Sequence, residues 1–238
     1  MRDVLTYFIE REEEFARHLS IARMLEARID ETADGGDIRI EVRHVNTIKS
    51  GLLIHLYNIV EAVTMRTLTA VGRTVVTERP GRWTEAVLKE WVRAAVWSGE
   101  DRIGDGALNK LTRVSGTLAS GLSPDAFVVK GEPGSWDDEA IKKVAERLGC
   151  QLVLSDEIRR IAYERVYRND TTALRYLAQR RNDIAHGSST FEEGAHDLTL
   201  DELATLAGRV LPFLKAVSES YEVFLRNRSY LRNEEAVA

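Results

Sequence analysis

The chain has 238 residues, a formal net charge of −5, a hydrophobic fraction of 44% and one cysteine, Cys150. That is enough apolar material for a sizeable core without cross-links, and a lone cysteine excludes both an intrachain disulfide and the multi-cysteine zinc patterns. The negative balance excludes holding nucleic acid by a global positive field, so any such contact must rest on a local basic patch. No apolar run approaches the roughly 20 residues of a membrane-spanning helix. Met1–Glu14 has no apolar core of a signal peptide and carries Glu12-Glu13-Glu14. The expected compartment is the cytoplasm, with no membrane partner.

Four prolines in the whole chain and long stretches at helical period predict an all-α protein. Residues 3–32 carry one apolar stripe (Leu5, Phe8, Ile9, Phe15, Leu19, Ala22, Leu25, Ile29) and predict a long N-terminal helix. The loop Ala33-Asp34-Gly35-Gly36-Asp37 ends it. Residues 38–42 alternate and are compatible with a short strand. Residues 43–73 form a second long helix, apolar enough to sit centrally, with Val45, Ile48, Leu52, Leu56, Ile59, Val63 and Leu68 as its buried stripe. A third helix covers 83–98. Residues 105–122 are loosely helical, and 99–134 reads as an irregular insertion between helices of one bundle.

Gly131-Glu132-Pro133-Gly134 is a turn. Ser135 or Asp137 caps a helix running through 147, which Gly149 closes. Helical patterns follow at 156–168 and 171–186, with Asp170 or Thr171 capping the second. Thr199-Leu200-Asp201-Glu202 opens the last helix, 199–231, as a capping box, and Pro212 within it predicts a kink or a break. No internal repeat or linker divides the chain, so 1–238 reads as one helical domain.

The densest chemistry is Arg180-Arg181-Asn182-Asp183-Ile184-Ala185-His186-Gly187. On a helix Asn182 and His186 are i, i+4 neighbours, whereas Arg181 and His186 lie about 140° apart around the axis. Arg181 and His186 converge only if the arginine bends round, if the helix ends early, or if a second copy of the chain supplies one of them. Gly187 is suited to end the helix, which places His186 where exposed carbonyls favour a cation. An arginine offers phosphate a permanently charged planar fork. Arg plus His suffices for phosphodiester cleavage when the substrate brings its own nucleophile, as RNA does with its 2′-hydroxyl. Spacing alone favours the plainer reading, a basic helix end complementing the dipole.

Arg181-Asn182-Asp183-Ile184-Ala185-His186 resembles the Arg-x4–6-His motif of the HEPN superfamily, including the polar residue after the arginine. Further likeness lies in the long N-terminal helix, in Leu52-Leu53-Ile54-His55-Leu56-Tyr57-Asn58-Ile59-Val60-Glu61 and in Thr199-Leu200-Asp201-Glu202-Leu203. The chain as a whole is similar to MAE-type stand-alone prokaryotic HEPN-like nucleases. That resemblance implies an all-α bundle and a metal-independent endoribonuclease without cofactor, often a toxin with a cognate antitoxin or a phage-defence effector. It also implies a homodimer whose motifs face each other, with Arg181 and His186 catalytic and Asn182 the polar motif residue. The branch paired with a nucleotidyltransferase antitoxin commonly has Tyr two residues after the His; here Ser188 stands there, so regulation at that tyrosine is not expected. The Gly131–Gly134 turn also lacks the expected Gly-Asn pair.

Two other groups of residues invite a role. His55, Asn58 and Glu61 form a short polar strip on the second helix; Asn58 or Glu61 could orient Arg181 or His186, or the strip could be an internal hydrogen-bond network. The basic run Arg159, Arg160, Arg165, Arg168, Arg175, Arg180, Arg181 reads mostly as a solvated face paired with nearby carboxylates, with Arg180 the one expected to touch RNA. No HExxH spacing, P-loop or GxGxxG is present, and the tryptophans read as core or interface residues. A rival reading makes the chain a non-catalytic HEPN-like module binding a nucleotide or a protein. A DNA-binding regulator is a third, opposed by the acidic balance and the missing helix-turn-helix signature.

Overall fold

The computed structural model describes residues 1–29, 39–96, 105–131 and 135–232. Among them the chain forms eight α-helices: α1 (Arg2–Glu26), α2 (Val42–Val75), α3 (Glu85–Val96), α4 (Asp105–Ser120), α5 (Asp138–Leu148), α6 (Asp156–Tyr163), α7 (Ala173–Ala185) and α8 (Leu200–Arg226). Two isolated bridges are the only β pairing among the described residues. The all-α expectation is borne out. None of these helices is long and apolar enough to cross a membrane.

The two long N-terminal helices arise where the sequence period places them. Val4, Phe8, Phe15, Leu19 and Ala22 form the buried stripe of α1, while Ile9 is exposed. In α2, Leu52, Leu53, Leu56, Tyr57, Ile59, Val60 and Val63 are all buried. A helix apolar on more than one face must be covered on more than one side, and α1, α7 and α8 all pack against α2. Because α2 begins at Val42, the alternating residues from Arg39 onward form no strand. The Ala33–Asp37 loop lies outside the described residues.

The 99–134 region is more regular than its glycines and serines suggest. Residues 105–120 form α4, which packs on α3 through a stripe that buries Ala107 and Val114. The segment after it crosses α2 so closely that a Cβ on Gly72 would lie 2.1 Å from the Phe127 carbonyl oxygen. Trp83 anchors this end, donating from its indole to the Val75 carbonyl at 3.2 Å and meeting Trp91 and Phe127 edge to face. Glu90 is buried between Arg93 and Arg147, at 3.1 and 2.9 Å. Burial raises its carboxyl above the usual range although both arginines oppose the rise.

Helix caps follow side-chain chemistry. Asp137 caps α5 through the Ala140 amide, and Gly149 closes it in the left-handed region. Ser155 caps α6, which stops at Tyr163 rather than reaching 168, with a short 3₁₀ turn at Arg168–Asp170. Thr172, not Asp170 or Thr171, caps α7; Asn169 and Asp170 are occupied in a positive-φ turn. The Thr199/Glu202 capping box opens α8. Pro212 neither breaks nor ends α8. Val210, Leu211, Phe213 and Leu214 are buried around it, so packing on both sides outweighs the missing amide, and the carbonyl that loses its partner belongs to exposed Gly208.

His55 faces α1. Its Nδ1 lies 3.3 Å from Nδ1 of His18, and its Nε2 lies 3.7 Å from Glu14. Burial lowers its pKa most, with His18 and Arg11 adding to the fall and Glu14 opposing it. A histidine whose folded pKa lies below its unfolded value stabilises the fold fully above the unfolded value, near 6.5, and loses that contribution as pH falls below it. His55 should therefore lower the unfolding midpoint as pH falls from 7 to 5, so His55→Gln should lose less between those two values than the unaltered protein does. Gly72→Ala, forcing a methyl onto the Phe127 backbone, should cost about 1–3 kcal/mol in urea unfolding. Cys150, buried and with its thiol pushed up to about 12, should resist a thiol-reactive dye at pH 8 until the protein unfolds.

Candidate active site at the end of α7

Helix α7 is held along its length by short segments far away in sequence. At its start the Thr172 hydroxyl donates to buried Asp138 at 2.5 Å. Burial is the main reason the Asp138 carboxyl sits above its ordinary range. Near its end Asn182 Nδ2 donates to Ser135 Oγ at 2.7 Å. Residues 135–138 therefore run as a brace beside α7. Ser135 is available for this because Asp137 caps α5.

The adjacent arginines point to different partners, as residues about 100° apart on a helix must. Arg181 donates to Glu61 Oε2 at 3.2 Å and to Asn182 Oδ1 at 3.1 Å, and its guanidinium carbon lies 4.7 Å from the Tyr57 ring centre. The side chains remain open, with 26% of Arg181 and 44% of Glu61 exposed. Such a pair adds little to stability, but carboxylate, amide and ring together restrict where the guanidinium can point. The Tyr57 hydroxyl accepts from the Trp136 amide at 2.8 Å, and burial raises its pKa. The ring is thus fixed before the arginine lies against it.

Of the two α2 residues expected behind the motif, Glu61 makes the contact. Asn58 is exposed, and its side chain has no hydrogen-bond partner among the described residues. His55 belongs to the α1 seam. Tyr57 and Ser135 are the participants not singled out from the sequence. Tyr57 stands four residues before Glu61, one turn away on the same face, a spacing that could have marked it. Ser135 lies 47 residues from Asn182, and no local pattern points to it.

Arg180 is also placed differently from expectation. It makes a very short ion pair with Asp197, a second contact to that carboxylate at 3.4 Å, and a 2.6 Å bond to the Gly194 carbonyl. Burial would raise the Asp197 pKa, but Arg180, with help from Arg168, holds it below the usual value. The Arg180 guanidinium is committed to fastening the 187–199 segment rather than standing open to phosphate. Arg168 joins the same carboxylate at 2.9 Å, and Arg175 comes within 3.8 Å of Glu139.

His186 occupies the C-cap position of α7, its amide bonded to the Asn182 carbonyl at 2.9 Å. Gly187, at φ 76°, then turns the chain away, a conformation that a glycine adopts without strain. The imidazole is exposed and has no side-chain partner among the described residues. No hydrogen bond joins it to Arg181, in keeping with their angular separation on one helix. A single chain thus presents an oriented guanidinium and an unengaged imidazole at one helix end, separately.

Comparison with curated proteins and with solved structures finds no match. Residues 109–223 match the family model RiboL-PSP-HEPN. The matched span runs from within α4 to near the end of α8 and includes Ser135 and the whole Arg181–His186 motif, but not Tyr57 or Glu61. Over that span the chain is similar to HEPN proteins, an all-α class of nuclease-like or RNA-related modules.

Proposed function

We propose that this protein is a metal-independent endoribonuclease of the MAE-type HEPN kind, acting as a toxin or phage-defence effector and working as a homodimer. The observation that carries the reading is the Arg181 guanidinium, oriented by Glu61 and Tyr57 yet open to solvent, on the helix whose end exposes His186. His186 removes the proton from a ribose 2′-hydroxyl, and the 2′-oxygen attacks the adjacent phosphorus. The bond to the 5′-oxygen breaks as that oxygen takes up a proton from the imidazolium. Arg181 stabilises the charge gathering on the non-bridging oxygens. The products are a 2′,3′-cyclic phosphate and a 5′-hydroxyl. Asn182 tethers Arg181 to the 135–138 brace.

The angle between Arg181 and His186 supports a site completed by two copies, each α7 end contributing to a shared phosphate position. A cognate antitoxin would act by covering this exposed end. The competing reading, a non-catalytic helical binding module, would gain if no dimer formed or if the two His186 side chains of a dimer lay far apart and buried.

Purified protein should cleave single-stranded RNA in excess EDTA. His186→Ala should slow this by about 10²–10⁴-fold, and Arg181→Ala by about 10²–10³-fold. Glu61→Gln should be milder, near tenfold, because Tyr57 and Asn182 still hold the arginine. Cleavage by His186→Ala equal to that of the unaltered protein would sink the nuclease reading in favour of the binding module.

A further inference from the structure

Phe191 is exposed, at 48%, and no other phenylalanine, tyrosine or tryptophan with a described side chain is exposed. A lone surface apolar residue is ordinary by itself. Phe191 differs in how it is held and in what lies beside it. It follows Thr190, whose amide and hydroxyl both donate to Glu193 Oε2, at 3.2 and 3.0 Å, while the Glu193 amide returns a bond to the Thr190 hydroxyl at 3.2 Å. The Gly194 amide closes the turn on the Thr190 carbonyl at 2.8 Å. This reciprocal box fixes the backbone on both sides of Phe191.

The turn is also fastened to α7. The Ser189 amide donates to the Asp183 carbonyl at 3.1 Å, and Arg180 grips the Gly194 carbonyl at 2.6 Å. Gly194 lies so close to the helix that an added Cβ would meet the Ile184 side chain at 2.6 Å. Lys49 of α2 holds the far end through the Leu198 carbonyl at 2.8 Å. Asp183 lies about 4.5 Å along the axis from His186. Phe191 is two residues beyond Ser189, a reach of at most about 7 Å. The turn that carries the ring is therefore fastened to the same helix end that presents the imidazole.

Its neighbours decide what it recognises. Glu192 is exposed and Glu193 is bound to Thr190, while the basic side chains that touch the turn, Arg180 and His196, are engaged at its Gly194 and Glu193 carbonyls, each at 2.6 Å, so the turn offers a π face flanked by carboxylates. Such a surface repels phosphate and accepts an uncharged planar ring. We propose that Phe191 is a stacking platform for an unpaired RNA base next to the phosphate held at Arg181 and His186, and so a specificity-determining residue. The proposal rests on the ribonuclease reading of that site.

The test is fluorescence anisotropy, at several salt concentrations, of a labelled single-stranded RNA octamer with 2′-O-methyl riboses, which lack the attacking hydroxyl and cannot be cleaved, so that the parent is the unaltered protein. Phe191→Ala should weaken binding about tenfold to a hundredfold. Phe191→Trp should bind like the parent, and Phe191→Leu should resemble Phe191→Ala. The slope of affinity against salt should stay the same, because no phosphate contact is lost. Unchanged binding by Phe191→Ala, leucine serving as well as tryptophan, no octamer binding by the parent, or a change only in sedimentation state would each overturn it. The last would assign the ring to a protein interface. Ring-dependent binding without cleavage by the unaltered protein would instead remove the nuclease reading alone.

Discussion

A guanidinium pinned between a carboxylate and a phenol ring ties the candidate site to the fold. Arg181 reaches across from α7 to Glu61 and Tyr57 of α2, and α2 is the helix that α1, α7 and α8 all cover. The arginine is therefore referenced to a helix packed on several sides rather than to a loop. Ion pairing at such exposure contributes little free energy. Its consequence is orientation, and orientation is what a charge-stabilising group in phosphoryl chemistry requires.

The rest of α7 is organised to keep that contact in place. Thr172 and Asn182 fix the helix to the 135–138 brace, and Arg180 fixes the following turn through Gly194 and Asp197. Consecutive arginines thus divide two tasks: Arg180 holds backbone and carboxylate, while Arg181 remains open to solvent. An Arg→Lys change would not be conservative at either position, since each guanidinium makes contacts from more than one nitrogen.

Much of the fold was legible because helical period and capping chemistry are local. The stripes of α1 and α2, the Asp137 and Thr199 caps and the Gly149 stop all follow from neighbouring residues. Where tertiary packing overrides local preference, the sequence says less: Pro212 does not break α8 between its buried neighbours, and the loosely helical 105–122 stretch is a regular helix over 105–120 that places Val114 in the core. In the site, Glu61 could be named because it shares a polar strip at regular spacing. Ser135 could not, because its partner lies far along the chain. Arg180 and Arg181 look equivalent in sequence; only the path of the 187–199 turn, which brings Asp197 back to the helix, separates them.

Within one chain no hydrogen bond links Arg181 and His186, and a site shared between two copies predicts a specific form of complementation. Arg181→Ala and His186→Ala proteins, each inactive, should be unfolded together, refolded as a mixture and assayed on single-stranded RNA in EDTA. If each site takes its arginine from one copy and its histidine from the other, half the dimers are mixed and each mixed dimer has one intact site. The mixture should then recover roughly a quarter of unaltered activity. A mixture as silent as its two parents, despite dimers forming, would contradict a site built across two copies.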